Sequence, residues 1–342
     1  MNVKYRSVLL TILAALLLES GCSGIGYVGG EKSGTPTVGS GTAVNLGTPL
    51  GSYQILSGKE SVTIPFEMFR SDIRMSARIN GRDCHFLVDN GNLWDELLFF
   101  GSPKIDSLGL EITGITALGD TSVENPIYAD VAEDITIAFG DLVFSGQTGI
   151  ITRYIPGLPN PWEGADGQIS AALFKNFMVS INFDESRITL IKPEQFRYTG
   201  PGQAVTVHQG PLDSRTITAE VAIAEGSVLD LELLVDLGGI YPLYLPLGSD
   251  DRITLPRDAE EAVLGIGFGG PEQGYLGRIN RLTIGNYTLE NVLTAFTPMA
   301  ENASVFGSTM IGMPLLQRFN LVFDFFHDRL YVEPNQSFTD PF

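Results

Sequence analysis

The sequence contains one short block twice. Residues 86–102 read FLVDNGNLWDELLFFGS and residues 233–249 read LLVDLGGIYPLYLPLGS. The two blocks align without a gap, and the following positions coincide: Asp89 with Asp236, Gly91 with Gly238, and Gly101-Ser102 with Gly248-Ser249. A chain that carries the same aspartate and glycine in the same apolar setting twice is constrained to a fold with two similar halves.

Two further blocks repeat downstream in the same order. DITIAFGDLVF corresponds to RLTIGNYTL, and QISAALFKNFMVSINFDESRITL corresponds to MIGMPLLQRFNLVFDFFHDRLYV. Chance similarity between strands would not preserve this order. The sequence therefore predicts two copies of one lobe, an N-terminal lobe at 62–200 and a C-terminal lobe at 201–342.

The segments within each lobe are typical of β-strands. Stretches such as RMSARING, DCHFLVD and LELLVD are short, rich in β-branched and aromatic residues, and separated by turn residues. Long helical periodicity is scarce, and hydrophobic residues make up 44% of the chain, as in globular proteins. This pattern predicts an all-β protein built from many short strands.

The N-terminus has the composition of a targeting segment. Residues 1–21 contain two basic residues and the apolar run VLLTILAALLL, which is too short to favour a spanning helix. We therefore interpret 1–21 as a signal peptide for export. Cys22 follows Ser-Gly and resembles the cysteine of a bacterial lipobox, although Glu19 occupies a position where that motif has an aliphatic residue. Lipidation of Cys22 is expected; the alternative is ordinary cleavage and a freely soluble product.

The segment at 22–61 is rich in Gly, Ser and Thr and shows little apolar periodicity. Such a composition is typical of a flexible tether, because it offers few apolar side chains for a core. A tether directly after a lipid anchor would hold the folded lobes away from a membrane. The expected location is the bacterial cell envelope, either lipid-anchored to a membrane or in the periplasm.

The charge and the cysteine content exclude several classes of function. The net charge of −19 argues against nucleic-acid binding, which requires a basic face. The only two cysteines, Cys22 and Cys84, imply no disulfide framework, and Cys84 is expected to be a buried free thiol. No Cys/His cluster has the spacing of a metal site. We therefore expect neither a metal nor another cofactor. A monomer is also expected.

The repeated aspartates indicate a specific chemistry. Each carboxylate ends an apolar strand and precedes Xaa-Gly, where the glycine lets backbone N–H groups approach the carboxylate. If the two turns meet, the carboxylates cannot both ionise freely and share one proton over a range of pH. The ionised partner can take a proton from water, and the protonated partner can donate to a carbonyl oxygen or a leaving amine.

The motifs LVDNGN and LVDLGG, together with GQIS at 167–170 and MIG at 310–312, resemble those of the aspartic peptidases, specifically the bacterial retropepsin-like branch with pepsin-type tandem lobes. The resemblance covers about residues 62–335. It implies two acid-protease β-barrel lobes, related by a pseudo-twofold axis, with a cleft between them. It also implies that Asp89 and Asp236 are catalytic and that the substrate is a peptide or protein.

The chain departs from this family beside both aspartates. The family has Thr or Ser after each aspartate, where its side chain braces the pair across the lobe interface. Asn90 retains a donor and an acceptor at this position, whereas Leu237 has neither. Ser170 replaces a glycine behind the first aspartate, and Asn92 could contact the outer oxygen of Asp89. The residues expected to support the pair are Asn90, Gly91, Asn92, Leu237, Gly238 and Gly239.

The resemblance also implies a hairpin, or flap, that closes over the substrate. Tyr128 and Tyr275 lie in the corresponding interval of each lobe and are candidate flap residues. The alternative for each is a core or surface aromatic residue.

Two functions remain open from the sequence. The first is an exported, membrane-tethered aspartic endopeptidase. The second is a catalytically impaired relative that uses the same cleft as a peptide-binding or scaffold lipoprotein of the cell envelope. Carboxylates of Asp89 and Asp236 within hydrogen-bonding distance would favour the enzyme.

Overall fold

The structure is a computed structural model that describes residues 27–29, 51–91, 95–118, 127–153, 163–210, 213–224, 227–267, 270–298 and 309–342. The predicted signal peptide, Cys22 and Asn92 lie outside the described residues. None of the helices among the described residues has the length and apolar character needed to cross a lipid bilayer.

Strands dominate the described residues, which confirms the all-β prediction. The strands are β1 (Tyr27–Gly29), β2 (Ser52–Ile55), β3 (Ser61–Phe69), β4 (Asp72–Ile79), β5 (Arg82–Val88), β6 (Leu97–Phe99), β7 (Ile112–Leu118), β8 (Ile127–Phe139), β9 (Leu142–Thr152), β10 (Gly167–Ile169), β11 (Met178–Asn182), β12 (Arg187–Ile191), β13 (Gln203–Gln209), β14 (Arg215–Ala224), β15 (Ser227–Val235), β16 (Leu243–Leu247), β17 (Glu260–Gly267), β18 (Gly270–Ile284), β19 (Tyr287–Pro298), β20 (Met310–Ile311), β21 (Phe319–Asp324) and β22 (Arg329–Pro334). The helices are short: α1 (Pro103–Asp106), α2 (Ala171–Phe174), α3 (Met313–Leu316), and 3₁₀ helices at Pro193–Gln195 and Phe325–His327.

Strand β4, which pairs with the strand before the first aspartate, shows how the sequence pattern builds the core. In β4 every second residue is buried, because successive side chains of a strand point to opposite faces of the sheet. The turn from β4 to β5 consists of Asn80 and Gly81, both with positive φ. This Asn-Gly pair suits the tight hairpin turn whose twist matches that of the flanking strands, and it fixes the register of β5.

The internal repeat is visible in the fold. Gly140 forms the turn between β8 and β9 with φ 57°, and Gly285 forms the turn between β18 and β19 with φ 58°. These two glycines are aligned by the sequence repeat, and only glycine adopts this left-handed conformation at no steric cost. The helices α2 and α3 likewise follow equivalent strands, β10 and β20.

One sheet is shared between the two lobes. Its strands run in the order β3, β12, β11, β21, β22, β13, and neighbouring strands are antiparallel. The central pair, β11 and β21, brings together equivalent strands of the two lobes, with Ser180 opposite Val322. This arrangement relates the lobes by a pseudo-twofold axis, in agreement with the predicted architecture.

The same parallel pairing recurs in each lobe beneath the repeated aspartate. In the N-terminal lobe β10 pairs with β5, and Ile169 lies opposite Val88. In the C-terminal lobe β20 pairs with β15, and Ile311 lies opposite Val235. Because Val88 and Val235 directly precede the aspartates, both carboxylates emerge at equivalent ends of equivalent strand pairs.

Part of the segment predicted as a tether at 22–61 forms strands. Ser52–Ile55 pair with β9, and Ile55 is buried in the main core. Tyr27–Gly29 pair with β7. The folded part of the chain therefore begins earlier than residue 62, because Tyr53 and Ile55 supply apolar contacts that the Gly/Ser/Thr-rich average of the segment conceals.

Candidate active site

The two aspartates lie at equivalent positions where the two lobes meet. Asp89 directly follows β5, and its backbone N–H donates to the carbonyl oxygen of Ile169 at 3.2 Å. Asp236 directly follows β15, and its backbone N–H donates to the carbonyl oxygen of Ile311 at 3.0 Å. Each aspartate is only 2% exposed. A buried carboxylate requires hydrogen-bond partners, which the following glycines supply.

Each glycine holds its own aspartate and faces the other one. The N–H of Gly91 donates to Asp89 Oδ1 and the N–H of Gly238 donates to Asp236 Oδ1, both at 2.8 Å. A Cβ atom at Gly238 would lie 2.5 Å from Asp89 Oδ2, and one at Gly91 would overlap the carboxylate of Asp236. Glycine is therefore required at both positions, as the repeated motif predicted.

The two carboxyl groups are joined by a side-chain hydrogen bond. Burial raises the pKa of Asp236 above its ordinary value, although hydrogen bonds from Asp89 and from the backbone of Gly238, Gly239 and Gly91 act in the opposite direction. Two carboxyl groups in contact titrate as a pair that holds one proton between them. We call Asp89 and Asp236 the dyad from here on.

Asn90 connects the two lobes with both ends of its side-chain amide. Its Nδ2 donates to the carbonyl oxygen of Val235, and its Oδ1 accepts the backbone N–H of Leu237, each at 2.8 Å. The sequence predicted that some bracing would survive at this position. Since the amide has both a donor and an acceptor, one side chain makes two bonds across the interface.

Leu237 occupies the matching position on the other side, and its side chain is fully buried in the main apolar core. The side chain of Leu237 thus packs in the core, and its backbone N–H donates to Asn90. The brace at the interface is one-sided.

Gln168 was not identified as a site residue from the sequence, although it lies within the GQIS element. Its Nε2 donates to Asp89 Oδ2, and the residue is 6% exposed. The sequence offered one signal only, a polar amide between Gly167 and Ile169 in a short predicted element. In the structure both of these neighbours are buried.

Tyr244 and Asp72 are two further residues that sequence reasoning missed. The phenol oxygen of Tyr244 accepts the backbone N–H of Ile240 at 2.9 Å and that of Tyr241 at 3.1 Å, which shapes the loop after the second aspartate. Burial raises the pKa of the Tyr244 hydroxyl, so the neutral phenol is retained.

Asp72 brings a third carboxyl group to the dyad. Ile73 pairs with Val88, so the next residues along these two antiparallel strands are Asp72 and Asp89. Burial raises the pKa of Asp72 from 3.8 to about 7; the charge of Arg70 lowers it and the charge of Asp236 raises it further. Asp72 therefore lies close enough to the dyad to interact with its charge.

The remaining predicted residues have mixed placements. Ser170 is buried and directly follows Ile169, whose carbonyl oxygen accepts the N–H of Asp89. Its counterpart Gly312 is confined, because a Cβ there would lie 2.5 Å from the carbonyl oxygen of Gly239. A Cβ at Gly239 would in turn lie 2.9 Å from Gly312 Cα, so this pair of glycines packs backbone against backbone. The predicted contact between Asn92 and Asp89 falls on a residue outside the described part of the chain.

The candidate flap residues differ between the lobes. Tyr128 lies on β8 opposite Ala117 of β7 and is 42% exposed, in the hairpin that occupies the predicted flap interval. Tyr275 lies on β18 between β17 and β19 and packs against the main core. Tyr275 therefore has the surroundings of a core aromatic residue, which was the alternative to a flap residue.

Cys84 is a buried free thiol, as predicted. It is fully inaccessible to solvent, and burial raises its pKa above the ordinary value. A buried thiol held in its neutral form is not available as a nucleophile.

Comparison with solved structures supports the two-lobed β fold described above. The chain is similar to the crystal structure of an aspartic proteinase from Irpex lacteus, with a TM-score of 0.52 and 13% sequence identity. The match covers 82% of this chain and 99% of that chain. No protein-family model matches the sequence, and no curated protein is significantly similar to it. The structural likeness establishes a pepsin-like, two-lobed β fold.

Proposed function

We propose that this protein is an aspartic endopeptidase. The observation that carries the proposal is the hydrogen bond between Asp89 and Asp236, which reach each other from equivalent positions of two lobes across a cleft. A structural role in each turn alone would not require the two carboxyl groups to meet. Sharing of one proton between them is the property that peptide hydrolysis by such a pair uses.

The reaction that this geometry supports needs no other group for its proton transfers. The ionised carboxylate takes a proton from a water molecule, whose oxygen attacks the carbonyl carbon of the peptide. The protonated partner donates its proton to the carbonyl oxygen. The resulting tetrahedral intermediate collapses as the C–N bond breaks. The carboxyl group that took the proton from water passes it to the leaving amine, and a hydroxyl group of the intermediate returns a proton to the other carboxylate as the new carboxyl group forms. The glycine N–H groups that hold Oδ1 of each aspartate keep both carboxyl groups in place during these steps.

A second candidate is a peptide-binding or scaffold protein with the same cleft. The observation that favours it is the one-sided brace, in which Leu237 supplies only its backbone N–H and a buried Ser170 replaces glycine. A small misplacement of a catalytic group can cost on the order of a hundredfold in rate. The cleft would then bind a peptide without hydrolysing it efficiently.

We further propose that the protein is exported and held at the bacterial cell envelope by a lipid on Cys22, where it acts on peptides or proteins as a monomer. The apolar run at 8–18 and the Ser-Gly-Cys sequence support this location. The net charge of −19 supports a protein rather than a nucleic acid as substrate.

The two candidates are distinguished by incubating the purified protein with a peptide library between about pH 3 and pH 8, the range in which carboxyl pairs titrate. Mass spectrometry of the products identifies cleavage by the wild type. An endopeptidase yields internal cuts that Asp89→Asn abolishes. A binder yields no cuts, and both proteins retain the same peptides on an affinity column.

A further inference from the structure

Gln168 is a buried amide placed among apolar strands. On β10 it lies opposite Leu87 of β5 and Leu98 of β6, and both of these residues are buried. Burying a side-chain amide costs free energy unless it forms hydrogen bonds. Its Nε2 donates to Asp89 Oδ2, the oxygen that does not receive the N–H of Gly91. The amide is therefore directed at one specific atom of the dyad.

We infer that Gln168 is a positioning residue, which keeps Asp89 ionised and thereby directs the shared proton of the dyad to Asp236. This inference deepens the proposed function and rests on it for its catalytic meaning. It assigns Asp89 as the group that takes the proton from water and Asp236 as the group that donates to the carbonyl oxygen.

The charge distribution around the dyad supports this assignment. A donor N–H stabilises the ionised form of the carboxylate that accepts it, and such charge-assisted bonds are stronger than neutral ones. Asp89 receives one donor on each oxygen, from Gly91 and from Gln168. For Asp236, burial outweighs the hydrogen bonds from Asp89 and from the backbone of Gly238, Gly239 and Gly91 and raises its pKa, which favours the protonated form.

Two titratable side chains, Asp72 and Tyr244, lie close enough to Asp236 to interact with its charge. Asp72, on β4, interacts unfavourably with the charge of Asp236, and the charge of Arg70 in the preceding turn affects Asp72 more strongly and in the opposite direction. From the C-terminal lobe, Tyr244 faces the same carboxyl group and is unfavourably affected by its charge. Ionised Asp72 disfavours ionisation of Asp236, whereas the neutral phenol of Tyr244 carries no charge that would oppose it.

The test isolates each carboxyl group, because the two titrate jointly in the wild type. Asp236→Asn leaves Asp89 as the remaining dyad carboxyl, and Asp89→Asn leaves Asp236. Gln168→Met, which retains the length of the side chain but has no donor, is introduced into each background. The titration of the remaining carboxyl is followed by NMR of carbon-13-labelled aspartate, with no substrate present.

The expected result is asymmetric. In the Asp236→Asn background, Gln168→Met raises the proton affinity of Asp89 about tenfold, as expected for loss of one bond to a charged group. In the Asp89→Asn background, Gln168→Met does not change the proton affinity of Asp236. Equal changes in both backgrounds, or no change in either, would overturn the inference. If Gln168→Met does not fold, Gln168→Glu replaces it, and a larger rise in the proton affinity of Asp89 is expected from charge repulsion.

The activity readout separates this inference from the proposed function. In an active enzyme, the acidic limb of the pH profile of kcat/KM moves to higher pH in Gln168→Met, whereas a merely structural role would lower kcat/KM equally at every pH. A wild type that cleaves no peptide contradicts the proposed function, while the NMR titration still decides the role of Gln168. An acidic limb that stays in place, with symmetric NMR changes, would show that Gln168 only fills space.

Discussion

Asn90 accepts the backbone N–H of Leu237 at 2.8 Å across the lobe interface. Asn90, which has a polar side chain, thus holds the loop that contains Leu237, whose side chain has no polar group. The same amide donates to the carbonyl oxygen of Val235, so both bonds that join the two aspartate loops at this point come from one lobe. The geometry of the dyad consequently depends on Asn90 far more than on Leu237.

We expect Asn90→Val to lower both stability and activity. Loss of two hydrogen bonds costs about 1–3 kcal/mol of unfolding free energy, at about 0.5–1.5 kcal/mol for each bond. Loosening of the second aspartate loop should reduce kcat/KM on the order of a hundredfold. Thermal unfolding and peptide cleavage measure the two effects.

The matched control is Asn90→Thr, because threonine has the shape of valine but retains a donor and an acceptor. It should remain close to the wild type in both measurements. If Asn90→Thr is as impaired as Asn90→Val, the hydrogen bonds of Asn90 do not brace the dyad.

The sequence suggests Leu237→Thr as a way to restore the missing half of the brace, but the structure predicts the opposite outcome. The side chain of Leu237 is fully buried in the main apolar core. Leu237→Val should lower stability by about 1 kcal/mol through lost apolar contact. Leu237→Thr should be less stable still, because it adds a buried hydroxyl, and neither variant should exceed the wild type in kcat/KM. Faster cleavage by the threonine variant would refute this expectation.

Asp72 should make stability depend on pH in a defined direction. Its pKa is raised from 3.8 to about 7, so the folded state binds this proton more tightly than the unfolded chain does. Asp72 therefore contributes its full stabilisation below pH 3.8, the ordinary pKa, and this contribution is lost as the pH rises to about 7, the pKa in the folded state. The Tm of the wild type relative to Asp72→Asn should therefore fall across this window.

The control for this measurement is Asp83→Asn, which removes a carboxylate that is exposed on the adjacent strand. A Tm difference between the wild type and Asp72→Asn that is constant from pH 4 to pH 7 (roughly the titration range of a buried carboxyl) would show that Asp72 does not hold its proton.

The proposed lipid anchor predicts the behaviour of Cys22→Ser in cells. The wild type should sediment with the membrane fraction, and the variant should appear in the soluble fraction, because serine cannot carry the thioether-linked lipid. Cys84→Ser, at a buried position, is the control and should stay with the membrane. A variant that remains membrane-bound at the level of the wild type would rule out Cys22 as the anchor.

The positions of the dyad could be predicted because they follow from local rules. Each aspartate ends an apolar strand, and each motif glycine is required where its backbone meets a carboxylate. The aligned turn glycines, Gly140 and Gly285, both adopt positive φ, so the repeat also predicts the hairpins. Patterns of this kind depend on neighbours in the sequence and can be read without the structure.

The contacts that orient the dyad could not be predicted because they join distant parts of the chain. Gln168 reaches Asp89 across 79 positions, and Asn90 reaches Val235 across 145. The central pairing of β11 with β21 is equally remote in sequence. An amide in a short strand is not distinguishable from a surface residue until the register of that strand against its neighbours is known.

The central claim, hydrolysis of peptides by a shared-proton pair, is tested most directly by the kcat/KM of the wild type, Asp89→Asn and Asp236→Asn on one library peptide. The three proteins are compared across the pH range, and thermal unfolding confirms that all are folded. Our account predicts a bell-shaped profile for the wild type and complete loss of cleavage in both variants, because either replacement removes one of the two proton-transfer groups. Cleavage that persists in either folded variant, or a folded wild type that cuts no peptide at any pH, would contradict it.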